Sequence, residues 1–98
     1  MVFKIIWTEK AINDKITILA YWVERNKTKT YAKKLSTLLN ERVELIAQYP
    51  LLGKKTEVKD IRVHVVKDFL LAYKITDKTI YIVSIFDTRQ DPLKFGKK

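Results

Sequence analysis

The chain predicts an α+β domain, with a helical hairpin packed on one face of a mostly antiparallel four-stranded sheet in the order β-αα-βββ. Three observations carry this. Residues 61–86 hold three apolar runs of strand length, Ile61 to Val66, Phe69 to Ile75 and Thr79 to Phe86, all rich in Val, Ile, Tyr and Phe. The breaks between them, Lys67-Asp68 and Thr76-Asp77-Lys78, are too short for a crossover helix, so neighbouring runs must pair antiparallel. Upstream, two stretches of helical spacing are joined by very few residues, which makes them an antiparallel hairpin.

Each element has its own justification. Residues 2–7 (VFKIIW) read as a short strand that must join an edge of the meander. Thr8 is a helix N-cap, and Glu9 sits favourably in the first turn. From residue 9 to about 25, Ile12, Ile16, Leu19 and Val23 form an apolar stripe, widened by Ala11, Ala20 and Trp22. Asn26-Lys27 breaks that pattern. Thr28 or Thr30 caps a second helix over about 30–48, whose stripe is Tyr31, Leu35, Leu38, Leu39, Arg42 or Val43, Ile46 and Ala47. Tyr49-Pro50 ends it, because the residue before proline is pushed out of the α region. Residues 51–60 form the longest connection, charged and expected to be mobile. Trp7 and Trp22 fall in apolar patterns and read as core.

Composition narrows the class. The 98 residues make one domain, 1–98, long enough to bury a core without staples. The absence of cysteine removes disulfides and thiolate metal sites. His64 is the sole histidine, and no carboxylate cluster stands by it, so neither a metal nor another cofactor is expected. There is no glycine-rich phosphate loop, since the glycines are only Gly53 and Gly96. No targeting segment and no membrane span is visible, so a cytoplasmic protein is expected. The net charge of +9 points to a polyanion or an acidic protein partner. A solubilising lysine surface is the plainer alternative.

Strand alternation yields a candidate site. Ile61, Val63 and Val65 share one face of their strand, and Arg62 and His64 share the other. With the first set turned to the helices, Arg62 and His64 project from the open face. Arg62, His64, Asp87 and Arg89 then converge, with Lys54, Lys55, Lys59 and Lys74 nearby. Such a set suits a phosphodiester. Arginine clamps phosphate oxygens, His64 moves a proton near neutral pH, and Asp87 orients the imidazole or acts as base. Attack by an RNA 2′-OH would need no metal. The plain readings weigh against catalysis: a lone histidine on a strand is most often surface, and Asp87 with Arg89 is most often a structural pair.

The whole chain resembles the RelE/ParE family of bacterial toxins from type II toxin–antitoxin systems. The resemblance rests on the element order, Tyr49-Pro50-Leu51-Leu52-Gly53, Ile61-Arg62-Val63, Phe69-Leu70-Leu71-Ala72-Tyr73-Lys74-Ile75, and the run from Ile82 through Phe86-Asp87-Thr88-Arg89 to Pro92. It implies a basic, growth-inhibitory toxin of the plasmid-stabilisation kind. It also implies a cognate acidic antitoxin that wraps the toxin in a hetero-oligomer, often adding a helix or strand.

The family divides by target. RelE-like members cut mRNA in the ribosomal A site, and ParE-like members poison DNA gyrase. Ribosome-dependent members carry an arginine early in the third strand, where this chain has Leu70-Leu71-Ala72-Tyr73. After the fourth strand, Phe95 and Gly96 stand where a catalytic tyrosine or histidine would be sought. Both departures lean to the ParE side. Arg62 and His64, by contrast, fall where RelE-like nucleases place basic residues, so Arg62, His64, Asp87 and Arg89 are catalytic candidates only under the nuclease reading. Under either reading, Lys54, Lys55, Lys59, Arg62, Lys74 and Arg89 are the target-binding candidates. A basic interaction module without toxicity is the third alternative. The short basic tail, residues 93–98, is expected to fray unless a partner holds it.

Overall fold

The computed structural model describes residues 2–88. The elements are β1 (Lys4–Trp7), α1 (Glu9–Asn26), α2 (Thr30–Gln48), β2 (Lys54–Lys55), β3 (Ile61–Val66), β4 (Phe69–Thr76) and β5 (Thr79–Asp87). They build a five-stranded sheet in the order β1-β5-β4-β3-β2. The β3-β4-β5 meander is antiparallel as expected, and β1 joins its β5 edge in parallel. The fifth strand is the addition. β2 lies in the connection expected to be mobile, where Lys54 pairs with Val63 and Lys55 with Arg62. The rest of that connection is tied down by Thr56, whose hydroxyl donates to the carbonyls of Val58 (3.1 Å) and Ile61 (3.0 Å).

Thr8 converts strand into helix. Its Oγ1 accepts from the Ala11 amide at 3.2 Å as an N-cap and donates to the Ile82 carbonyl at 2.8 Å. α1 ends at Lys27, which takes the left-handed conformation at φ 58°. The cap expected at Thr28 or Thr30 is not formed. Lys29 occupies the N-cap of α2 without a side-chain bond, and Thr28 Oγ1 instead accepts from the Thr30 amide at 3.2 Å.

The core lies between the helices and one sheet face. Leu35, Leu39, Val43 and Ile46 of α2 meet Val66, Phe69, Leu71, Tyr73, Ile80, Ile82 and Ile85. The stripe of α2 is therefore the one its spacing predicts. That of α1 is rotated: Ala11, Ile18, Leu19 and Trp22 pack on the core, while Ile12 and Ile16 are 44% and 59% exposed. Trp7 and Trp22 both pack against the core.

β1 stops at Trp7, so it leaves the far half of the β5 edge without a strand partner. A side chain from α1 takes over. Asp14 accepts from the Ile85 amide at 3.1 Å and the Ser84 hydroxyl at 2.9 Å, and pairs with Lys10 at 2.9 Å. Burial pushes the Asp14 carboxyl up, but Lys10, the Ile85 amide and Ser84 outweigh it and hold the group below the usual aspartate value. A backbone group that water would otherwise have to satisfy is thereby paired within the fold.

Candidate functional site

β3 faces the opposite way from the sequence expectation. Val66 is fully buried in the core, and residues two apart share a face, so His64 and Arg62 turn toward the helix side. Val65 points away and is 59% exposed. Polar partners at the edge of the helical layer permit this. Arg42 of α2 donates through Nη1 to His64 Nε2 at 3.0 Å and reaches the Val65 carbonyl at 3.4 Å. Guanidinium has no acceptor, so Nε2 must accept and the imidazole proton sits on Nδ1. Burial first, and the Arg42 charge second, hold the His64 imidazolium below the usual histidine value. In this arrangement His64 is a neutral acceptor already in use.

Arg62 is also committed. Its Nη1 donates to the Gly53 carbonyl at 2.7 Å and reaches that of Leu51 at 3.5 Å. The same loop is held by Tyr73, whose hydroxyl donates to the Pro50 carbonyl at 2.7 Å and accepts from the Gly53 amide at 2.8 Å. Burial raises the Tyr73 phenol, while the Gly53 amide and Arg62 oppose it. Tyr73 and Arg62 are directly paired across β4 and β3. One buried phenol and one guanidinium together fix the turn that follows α2.

The expected convergence does not form. Asp87 pairs with Phe69, two strands away from β3 and two residues further along than the Leu71–His64 pair. Strand spacing puts its Cα about 12 Å from that of His64 and further from Arg62. Leu71 and Phe69, both buried, lie between. Asp87 is itself buried and engaged within the fold. Arg89, with residues 93–98 and the Phe95-Gly96 position, lies outside the described residues.

The lysines divide between two faces. Lys55 pairs with Arg62 and so shares its face, whereas Lys54 pairs with Val63 and Lys74 with Ile61, on the opposite face. Lys55, Lys59 and Arg62 line a groove of about 500 Å³ beyond the C-terminus of α2. Leu51, Val58, Ile61 and Ile75 supply its apolar floor, and Asp60 is the acid on its rim. Such a groove offers cations around apolar surface, which suits a partner that brings carboxylates or phosphates together with apolar groups. Among the described residues, no group of three or more His, Asp or Glu side chains is arranged to hold a metal ion. No helix among them is long and apolar enough to cross a membrane.

Arg42 and Tyr73 were missed as site residues by sequence reasoning. Arg42 did leave a signal, a cation set in the apolar stripe between Leu39 and Ile46.

The arrangement of two helices over a sheet is shared with solved structures. A chain of the chromosomal ParDE toxin–antitoxin system from P. aeruginosa superposes with a TM-score of 0.77 at 23% identity, covering 88% of this chain and 96% of that one. An E. coli RelE variant in the free state gives 0.62 at 13% identity, over 94% and 90%. At these identities the likeness is one of fold. The sequence profile of the ParE toxin of type II toxin–antitoxin systems matches residues 5–92. The chain belongs to that family, within the wider group of RelE/ParE toxins. No curated protein matches it significantly.

Proposed function

We propose that the protein is a growth-inhibitory toxin held in check by a cognate acidic antitoxin, and that it acts in the ParE manner, by binding and inhibiting DNA gyrase rather than by cutting RNA. The family match over residues 5–92 carries this reading. The geometry supports it. His64 and Arg62 are engaged by Arg42 and by loop carbonyls, and Asp87 lies across the sheet from them, so the described side chains favour binding over proton transfer. The basic groove of Lys55, Lys59 and Arg62 is the target-binding surface. Lys54 and Lys74, on the opposite sheet face, and Arg89, outside the described residues, are further target-binding candidates on sequence grounds. The antitoxin partner is inferred from the family and from the net charge of +9.

The second reading is a ribosome-dependent mRNA endonuclease using Arg62, His64, Asp87 and Arg89. It is kept because Arg62 and His64 occupy the strand positions expected of such enzymes. Induced expression without antitoxin separates the readings, with mRNA mapped by primer extension and plasmid supercoiling read from the same culture. Gyrase-linked DNA damage with intact mRNA is the expected result. Codon-phased mRNA cuts with unchanged supercoiling would overturn it and make Arg62 and His64 the residues to test next. Harmless expression would overturn both.

A further inference from the structure

A second basic surface lies at the other end of the molecule. Residues 25–34 (RNKTKTYAKK) hold five cations and no acid. They form the tip of the helical hairpin: the end of α1, the left-handed Lys27, and the first turn of α2. Lys67, in the β3–β4 turn, joins them, with its Nζ 5.6 Å from the centroid of the Tyr31 ring. The acids near them are Glu24, which pairs with Lys27 at 2.6 Å, Asp68, which is engaged within the fold, and Glu41, which lines a shallow depression with Lys33 and Lys34 on the α2 side of the tip. α2 has 19 residues, so this tip is about 28 Å from the groove beyond its other end.

The charges at the tip are held at a cost. No acidic side chain stands in the first turn of α2, and Lys29, Lys33 and Lys34 cluster at the positive end of its dipole. An anion supplied from outside would relieve that repulsion. Lys29 and Lys33 stand one helical turn apart on one side of α2, about 6 Å, a spacing that reaches neighbouring phosphates of one strand.

Apolar chemistry at the tip narrows the partner. Trp22 and Tyr31 pack edge to face with ring centroids 5.0 Å apart, and Lys67 covers one face of Tyr31. Tyr21 is 47% exposed, and its ring packs edge-on against Trp22 with centroids 5.2 Å apart. That leaves no platform on which successive bases could stack and little apolar surface to enter a lipid bilayer. It also lacks the buried apolar centre of a protein interface. The phosphate backbone of a duplex needs neither.

We propose that the hairpin tip, through Arg25, Lys29, Lys33, Lys34 and Lys67, is a contact surface for the phosphate backbone of duplex nucleic acid, separate from the groove at Lys55, Lys59 and Arg62. This inference stands independently of the gyrase reading, because it concerns direct binding of nucleic acid by the protein alone.

The test is fluorescence anisotropy of a labelled duplex of about 20 bp with the purified full chain, titrated between about 50 and 200 mM salt. The tip variant is Lys29→Gln/Lys33→Gln/Lys34→Gln. Its counterpart, Lys54→Gln/Lys55→Gln/Lys59→Gln, removes the same charge at the opposite pole. Glutamine keeps lysine's helix propensity, so the tip variant keeps its helix, checked by circular dichroism. The expected result is at least about a tenfold loss for the tip variant, with the log–log salt slope reduced by about 2.7, three contacts at about 0.9 each. The counterpart loses distinctly less. Should the triple variant fail to fold, Lys33→Gln alone replaces it, with a slope reduced by about 0.9 expected and an unchanged slope counting against the tip. Equal losses at both poles would overturn the proposal and assign binding to bulk charge. So would an absence of duplex binding by the parent. So would binding of anionic vesicles or a polyglutamate peptide that depends on the tip while duplex binding does not.

Discussion

Gly53→Ala tests the account of the loop that holds Arg62. Gly53 is buried, and a Cβ built there would stand 2.7 Å from the Tyr73 hydroxyl, 2.8 Å from Tyr73 Cε1 and 2.8 Å from the Val63 carbonyl oxygen. Its φ is not positive, so crowding rather than backbone strain sets the outcome. Ordinary contact begins near 3.5 Å, so each neighbour must yield by about 0.7 Å. None can do so cheaply. The Tyr73 ring is fully buried, and the Val63 carbonyl belongs to β3 between its two neighbours. Overpacking of this kind costs about 1–3 kcal/mol. Displacing the phenol also weakens its bonds to Gly53 and Pro50, for about another 1 kcal/mol. Reduced freedom of the unfolded alanine chain returns about 0.4–1 kcal/mol. The net loss is about 1–4 kcal/mol, or a melting temperature lower by roughly 5–25 °C for a domain of this size. Thermal unfolding followed by circular dichroism reads it directly. Adding Tyr73→Phe removes the hydroxyl contact but leaves those to Cε1 and Val63, so the double variant should not recover. A Gly53→Ala protein melting within about 2 °C of the parent would refute the reasoning.

Two further outcomes follow from the polar contacts of the helices. Asp14→Ala should cost about 1–3 kcal/mol at neutral pH, because the Ile85 amide and Ser84 hydroxyl lose their acceptor. The Asp14 carboxyl is held below its unfolded value, so its contribution is present above the ordinary aspartate value and is lost as pH falls through the lowered one. The acid limb of the stability profile should therefore be flatter in the variant, and parallel limbs would refute the assignment. The His64 imidazole should titrate below the ordinary histidine value by NMR, and Arg42→Gln should move it part of the way back, since burial remains. Here too the folded value is depressed, so the histidine's contribution to stability is lost as pH falls from its unfolded value through the folded one. A titration midpoint unmoved by Arg42→Gln would show that the guanidinium does not act on the ring.

The basic groove and the hairpin tip illustrate why net charge is a poor guide to a site. The charge of +9 reads from composition, yet only the fold gathers part of it at the two ends of α2, Lys55, Lys59 and Arg62 at one and Arg25, Lys29, Lys33, Lys34 and Lys67 at the other. Lys54 and Lys55 are neighbours in sequence and land on opposite faces, because consecutive strand residues alternate. The lysines of the tip come together from two helices and from the β3–β4 turn, a grouping only partly visible in residues 25–34.

By itself the sequence determined the local elements and their order. Apolar periodicity marked α2 and the meander, Thr8 marked the start of α1, and short polar breaks compelled antiparallel pairing of β3, β4 and β5. These signals are local, with the cause within a few residues of the effect. Tertiary structure decided the rest. Alternation in β3 told which residues share a face but not which face the helices cover, and Val66 in the core settled that against the expectation for Arg62 and His64. A two-residue β2 is too short to leave a periodic trace; it exists because β3 offers it an edge. The rotated stripe of α1 and the reach of Asp14 to β5 depend on where β1 stops along its neighbour. The site residues belong to this second group, since a side chain's chemistry depends on partners that are distant in the chain and close only in the fold.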